Sequence, residues 1–383
     1  MTLVSKLLPF LFVLPPLAYA FISLWCAGRY FSRPGPVAGE LPPVTILKPV
    51  KGMDADSFEN FASFCRQEYP GFQIVFAVAA ADDPALPVIR RLMAEFPAVD
   101  IALVVDDRIY GPNYKVCNLM NAYPHARHDL LIVCDSDIRV GPRYLQKVCA
   151  LFGDQNVGLV TSLYRTTGVH GSACALEALG FTAEMIPNVM VAMQLEGLSF
   201  ALGASMAVRR EALERIGGFA ALVDYLADDY QLGNKVHGVG YRLELSDCFV
   251  ESVMHRERLS TVLSRQLRWC RTMRVSRPGG YFASGITQPF PAALAAVVAG
   301  LLAGAAAWGW AAAGLLYGVR AVIVSLFSQR YVRDRLLPRY LWLLVPRDCL
   351  AFATWALAFA GNRVTWRGHR YLVRQGGRME EIA

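Results

Sequence analysis

The sequence predicts an α/β domain, a mixed but mainly parallel sheet flanked by helices, set between one N-terminal and several C-terminal membrane segments. Two observations lead there. From Val44 to Cys134, short apolar runs alternate with helix-patterned intervals, the order required by a parallel sheet covered on both faces. Apolar residues make up 55% of the 383, above a soluble norm of about 45–50%, and the surplus lies in long uncharged stretches near both ends.

Leu7 to Ala27 carries no charge and is long enough to cross a hydrocarbon core as a helix. A cleaved signal peptide is the competing reading, since Lys6 precedes the run and Ala18-Tyr19-Ala20 imitates a cleavage site. Against it, the apolar run continues past that site and further membrane segments follow. Arg29, Arg33 and Lys48 come after the span and only Lys6 before it, which places the following chain on the cytoplasmic side. Residues 1–30 are thus read as an anchor and 31–43 as a linker, rich in proline and glycine.

A domain over 44–258 follows. Val44–Val50, Phe72–Val78, Ile101–Val105 and Leu130–Cys134 read as strands, with helices near Asp56–Glu68, Leu86–Phe96 and Tyr114–Tyr123 between them. Gly158–Tyr164 and Phe200–Val208 supply later strands on either side of a helical region. Arg210–Ile216 reads as a short helix stopped by Gly217-Gly218, and a polar helix begins at Asp228-Asp229. Residues 259–288 read as a basic interfacial region and 289–383 as membrane helices with a basic tail. Between Phe290 and Phe327 only Arg320 is charged; one helix there would measure about 57 Å, so two spans are expected, turning near Trp308-Gly309-Trp310. Tyr340–Ala360 is apolar but interrupted by Pro346-Arg347-Asp348 and flanked by basic residues on both sides. A re-entrant or interfacial helix fits this, with Arg347 and Asp348 pairing or facing a polar cavity.

The net charge of +7 comes from arginines gathered beside apolar stretches, at 330–339 and 363–378, which favours a bilayer surface over nucleic acid as partner. Nine cysteines with no CxxC pair suggest neither zinc nor a disulfide framework.

Five features carry chemistry. Asp135 and Asp137 stand where the strand Leu130–Cys134 ends. Ligands bind at that edge of open α/β sheets, and two such acids can hold a divalent cation, Mg2+ or Mn2+, through oxygen. Turn-forming or capping aspartates are the plainer alternative. Asp82 and Asp83 follow the second strand, so one of them is a candidate acceptor from the base or ribose of a nucleotide, and a simple turn explains them equally well. Lys115 sits just inside a helix start and offers a cation to an anion. Asp228 and Asp229 also open a helix; capping suits both, and Asp229 is a candidate general base toward an acceptor hydroxyl. Arg265-Gln266-Leu267-Arg268-Trp269 puts two cations on one helix face, able to grip a pair of phosphates, with Trp269 as a flat wall. A surface-bound basic helix is the alternative there.

In combination, Asp82-Asp83, Asp135-Ser-Asp137, Asp228-Asp229 and Arg265-x-x-Arg268-Trp269 resemble the inverting glycosyltransferases of the GT-A fold. Lys48-Pro49-Val50-Lys51-Gly52, Gly111-Pro-Asn113-Tyr-Lys115-Val-Cys-Asn118, Cys134 to Val140 and Leu226 to Tyr230 narrow the resemblance to the ceramide glucosyltransferase family, including its bacterial hopanoid-biosynthesis branch. The resemblance implies an inner-membrane, multi-pass enzyme with a cytosolic catalytic domain, which transfers one sugar from a UDP-sugar donor to a membrane lipid acceptor within the bilayer. Asp229 would be the base, and Asp137 with Asp135 would hold the metal. Asp82, Asp83, Lys115, Asp135, Arg265, Arg268 and Trp269 would bind the donor, while Asp228, Arg347 and Asp348 would have an acceptor-side or supporting role. Processive polysaccharide synthases usually carry Gln where this chain has Arg265, which favours a single-transfer enzyme. Gly203-Ala-Ser-Met206, Pro346-Arg-Asp348 and Gly361 to Gly368 look like the hopanoid branch, whose members use UDP-N-acetylglucosamine and bacteriohopanetetrol; ceramide with UDP-glucose stands beside it.

Overall fold

A computed structural model describes residues 2–35, 41–334 and 337–382. Parts of the expected linker (36–40) and of the arginine-rich loop (335–336) lie outside the described residues. The six expected strands join two others, β5 and β8, in one eight-stranded sheet: β1 (Val44–Val50), β2 (Phe72–Val78), β3 (Asp100–Val105), β4 (Leu130–Cys134), β5 (Ile138–Arg139), β6 (Val157–Thr167), β7 (Ser205–Arg209) and β8 (Arg242–Val253). Their order across the sheet is β3-β2-β1-β4-β7-β6-β8-β5. The pairs β3–β2, β2–β1, β1–β4 and β6–β8 run parallel, and β7 runs antiparallel to both β4 and β6. All seven residues of β1 and all five of β4 are buried, as central strands covered on both faces should be. One core face includes Leu47, Leu131, Leu159 and Val208, the other Ile46, Ile132, Val160 and Ala207, the alternation that a period of two demands.

Two segments depart from expectation inside this domain. β7 begins at Ser205 instead of Phe200, because the backbone of Phe200 and Ala201 lies against Gly233 of the helix Asp228–Gly238, where even a methyl group would come within 2.4 Å. β8 has no counterpart in the sequence reading. Its alternation Leu243-Glu244-Leu245 and Val250-Glu251-Ser252-Val253 is interrupted by Asp247 and by a register shift against β6.

The helix Leu3–Phe31 packs through Cys26, Ala27 and Tyr30 onto the domain core. Among the described residues, four helices have the length and apolar character to cross a membrane: Leu3–Phe31, Ser172–Glu196, Ala306–Val332 and Leu337–Ala360; the pair Pro278–Thr287 and Pro289–Leu302, bent by 46°, makes a fifth if taken together. Ser172–Glu196 is 83% buried within the protein, so it serves as an internal prop, not as a lipid-facing span.

The turn expected at Trp308-Gly309-Trp310 lies earlier, at residues 303–305, where Gly304 takes a φ of +64°. Gly309 is instead a contact point inside the second helix: a Cβ there would sit 2.8 Å from the Ala296 carbonyl of the first. The glycine permits close helix approach and does not break the helix.

Arg347 and Asp348 fall in the first turn of a continuous helix, Leu344–Leu357, after the 3-10 segment Leu337–Leu343. Pro346 is tolerated there because its missing N–H lies in the first turn. The two charges do not pair with each other. Asp348 receives both prongs of Arg320, at 2.7 and 2.6 Å, and Arg347 donates to Glu184 at 2.6 Å. These pairs join three helices, so both charges find partners as expected, on neighbouring helices and not on each other.

Residues 363–382, read from sequence only as a basic tail, form a three-stranded antiparallel sheet of β9 (Arg363–Trp366), β10 (His369–Val373) and β11 (Met379–Ile382). Val364, Tyr371, Val373 and Met379 share a small core with Leu226, which fixes this sheet beside the start of the Asp228–Gly238 helix.

Candidate active site

A cleft of about 1450 Å³ opens at the carboxyl ends of β1, β2 and β4, where a parallel sheet presents its ligands. Asp135 and Asp137 enter it from the end of β4. Lys48 is wholly buried beneath them, its ammonium donating to the Asp135 carbonyl at 2.9 Å and lying 3.8 Å from the Phe64 ring centre. Lys115, from the start of the helix Tyr114–Ala122, reaches Asp135 Oδ1 at 2.7 Å and Asp228 Oδ2 at 3.3 Å. Asn113 caps that helix through Val116 N–H and donates to the Tyr225 carbonyl at 2.8 Å. One short segment thus ties the Asp135 edge to the Asp228 edge.

The acids divide into two kinds. Asp135 and Asp228 share Lys115, whose pKa burial would lower but these two carboxylates raise above the ordinary lysine range. The Asp137 carboxylate accepts from Ser252 Oγ at 3.2 Å; burial, then Asp135 and Asp54, push its pKa up to about 6. Asp229 accepts from the Tyr230 N–H at 2.7 Å, and burial, then Asp228, push it up to about 6 as well. Its carboxylate needs the space at Gly203, where a Cβ would lie 2.8 Å from Asp229 Oδ2.

Asp83 and Asp82 separate in the same manner. Asp83 is buried and accepts from the Gly52 and Ala85 N–H groups, each at 2.8 Å, so it holds two loops together at the cleft wall. Asp82 is exposed on the cleft wall.

Arg265 corrects the expectation of a phosphate-gripping pair. Its guanidinium donates to Glu177 at 2.8 Å and to Glu257 at 2.8 Å, so its charge is already neutralised inside the protein. Arg268 makes no ion pair with a carboxylate among the described residues. It lies 5.9 Å from the ring centres of both Trp269 and Trp366, and burial, then Arg265, lower its pKa to about 10. Trp269 lines the cleft as expected.

The sequence reading missed Asp54, Glu177, Glu257 and the contribution of the C-terminal sheet, which brings Trp366, Arg367, His369 and Tyr371 to the cleft. Asp54, directly after β1, carried a usable signal, since it is another acid at the carboxyl edge. It accepts a hydrogen bond from Ser136 Oγ and bears on Asp137.

Among the described residues, no three His, Cys, Asp or Glu side chains converge as an all-protein metal cage. A cation shared with phosphate suits the residues better. Asp137 carries a charge that Asp135 and Asp54 disfavour, and Mg2+ or Mn2+ is commonly held by one or two carboxylates with phosphate oxygens and water completing the set.

A model described as Glycosyl transferase family 21 matches residues 8–379. The chain belongs to glycosyl transferase family 21. Within the family it is similar to ceramide glucosyltransferase 3 of Caenorhabditis elegans, 28% identical over 66% of this chain and 55% of that relative, and to ceramide glucosyltransferase of Pyricularia oryzae, 25% identical over 92% and 90%. The chain spans about half the length of the two Caenorhabditis elegans relatives, 55% and 44%. In fold, this family 21 chain is similar to the mannosyltransferase PcManGT from Pyrobaculum calidifontis, solved in complex with GDP-Man and Mn2+, at a TM-score of 0.55 and 19% identity, covering 93% of this chain and 99% of the other.

The contrast between the two arginines is testable. Arg265→Ala strands Glu177, whose side chain is 4% exposed, and should cost about 3–5 kcal/mol as a broken buried pair. It should therefore lower the thermal midpoint in detergent, whereas Arg268→Ala, which orphans no acid, should lower it far less. Equal midpoints for the two variants would contradict these roles.

Proposed function

We propose that this family 21 chain transfers one sugar from a UDP-sugar to a hydroxyl of a membrane lipid, with inversion at the anomeric carbon. The observation that carries the reading is the split among the acids. At the carboxyl edge of the sheet, Asp135 and Asp228 share the ammonium of Lys115, leaving Asp137 and Asp229 as two carboxylates with raised pKa values in one cleft. Environments that set neighbouring titratable groups apart mark the division of labour in an active site.

In this reading the acceptor oxygen attacks the anomeric carbon as the bond from that carbon to the UDP oxygen breaks, and the bonding pair leaves with UDP. Asp229 takes the proton of the attacking hydroxyl. Asp137, helped by Asp135, would hold Mg2+ or Mn2+, which supplies charge neutralisation at the diphosphate when bound. Arg268 adds a fixed positive charge on the same side, and Trp269 shapes the pocket. Asp82 is the side chain left to meet the nucleoside. The catalytic domain faces the cytosol and the apolar helices sit in the inner membrane, a placement supported by Arg29, Arg33 and the arginines of 330–339. Bringing a lipid and a water-soluble donor into one cleft is then catalysis by proximity.

Within this class, UDP-N-acetylglucosamine and a hopanoid polyol such as bacteriohopanetetrol are the first reading, on the likeness of Gly203–Met206, Pro346–Asp348 and Gly361–Gly368 to that branch. Ceramide with UDP-glucose is the second, favoured by the names of the relatives.

Asp229→Asn should keep UDP binding and lose turnover about 100-fold or more, the range of a general base; near-normal turnover in proteoliposomes would remove Asp229 from that role. In the wild type, a base with a pKa of about 6 must be ionised to work. Turnover should therefore be level above about pH 7 and fall about tenfold per unit below pH 6, and a rise toward acid pH would contradict the assignment. Excess EDTA should abolish transfer and added Mn2+ or Mg2+ should restore it; full activity in EDTA would mean that Asp135 and Asp137 act without a cation.

A further inference from the structure

Arg367 stands at the tip of the hairpin joining β9 to β10. Trp366 pairs with His369, so Arg367 and Gly368 alone make the turn, with φ of +49° and +90°. Two-residue turns with both φ values positive fit the twist of a hairpin and favour Asn-Gly or Asp-Gly. A long side chain in that left-handed position is strained, and strain retained at a cleft wall points toward use. Among the described residues only Asp56 and Arg333 share such a backbone without being glycine.

The tip is held firmly. Arg367 donates to the Lys51 carbonyl at 3.0 Å. The Met379 N–H donates to the Asp224 carbonyl at 2.8 Å and the Leu226 N–H to the Gly377 carbonyl at 3.3 Å. These bonds fix the sheet against the segment leading into Asp228-Asp229. Beside the tip, the His369 ring lies 5.0 Å from that of Tyr114, next to Lys115.

Six lysines and arginines line the cleft. Arg108 is paired with Asp106, Lys115 with Asp135 and Asp228, and Arg265 with Glu177 and Glu257. Lys51, Arg268 and Arg367 have no carboxylate partner among the described residues, and Arg367 is among the cations that disfavour the charge of Arg268. Arg268 lies 5.9 Å from the ring centre of Trp366, the residue before Arg367, and two arginines without an ion-pair partner on one cleft wall offer a site for a doubly charged anion. We propose that Arg367, from the C-terminal hairpin, binds the diphosphate of the nucleotide donor together with Arg268, so that the last sheet of the chain is part of the donor site. Arg367 thereby takes the place that the sequence pattern offered to Arg265. The inference rests on the UDP-sugar reading above.

The test is calorimetric titration of the full-length protein in detergent with UDP. Arg367→Asn removes the cation while suiting the left-handed turn, and the bond to the Lys51 carbonyl that it loses is exposed, so its thermal midpoint should stay close to the wild type. Its UDP affinity should fall at least about tenfold, the scale of one lost charge-assisted contact, and Arg367→Lys, which keeps a cation, should lose less. Unchanged affinity in Arg367→Asn beside normal wild-type binding overturns the assignment, and so does an equal loss in the Asn and Lys variants. A wild-type protein that does not bind UDP at all would instead overturn the donor reading on which the inference stands.

Discussion

Lys115 holds the active site together, because its single ammonium reaches Asp135 from one edge of the cleft and Asp228 from the other. Five acids, Asp54, Asp135, Asp137, Asp228 and Asp229, crowd this region, and like charges at such spacing resist joint ionisation. One buried cation cannot satisfy them all. It satisfies one member of each motif: Asp135 in Asp-Ser-Asp and Asp228 in Asp-Asp. The unsatisfied member of each, Asp137 and Asp229, is left with a raised pKa and with oxygen atoms free for chemistry. A pair of acidic motifs thereby becomes one position suited to a cation and one suited to a proton. Lys48 contributes from below by fixing the Asp135 backbone and adds no charge at the cleft surface.

The membrane portion is coupled to this cleft by packing. The π-helical turn Phe181–Met185 interrupts Ser172–Glu196. On one side it presents Glu184 to Arg347 of the helix Leu344–Leu357. On the other, Phe181 lies 6.0 Å from the ring of Trp269 in the cleft wall. Extra-residue turns of this kind are frequent at functional sites. The basic helix Leu259–Ser276 lies between these elements and carries Arg265 inward to Glu177, which is why that arginine organises the wall and leaves charge recognition to Arg268.

Much of this was legible in the sequence. The four strands β1 to β4 are runs of apolar residues bounded by turn formers, and the acids at their ends follow from the same boundaries. What escaped notice has a physical cause in each case. In β8 charged residues alternate with apolar ones over Arg242–Leu245, and in the C-terminal sheet polar or charged residues break up every strand, so no long apolar run announces them; β9 and β11 have only four residues each. Arg265 and Arg268 share a helix face at a spacing of three, and only the distant Glu177 distinguishes them. Gly309 was read as a breaker because a tight helix–helix contact and a turn both call for glycine. Arg367 stands in the sequence only as one arginine of the basic stretch 363–378, since its strain exists only in the folded hairpin.

The central claim is that this cleft places a nucleotide-bound sugar on a lipid. Mass spectrometry of lipids extracted from cells with and without the protein tests it most directly. The account predicts a lipid species heavier by one hexose or one N-acetylhexosamine that is present only with the active protein, its acceptor identified by the same spectrum. An unchanged lipid profile, or a sugar polymer in place of a singly glycosylated lipid, would contradict it.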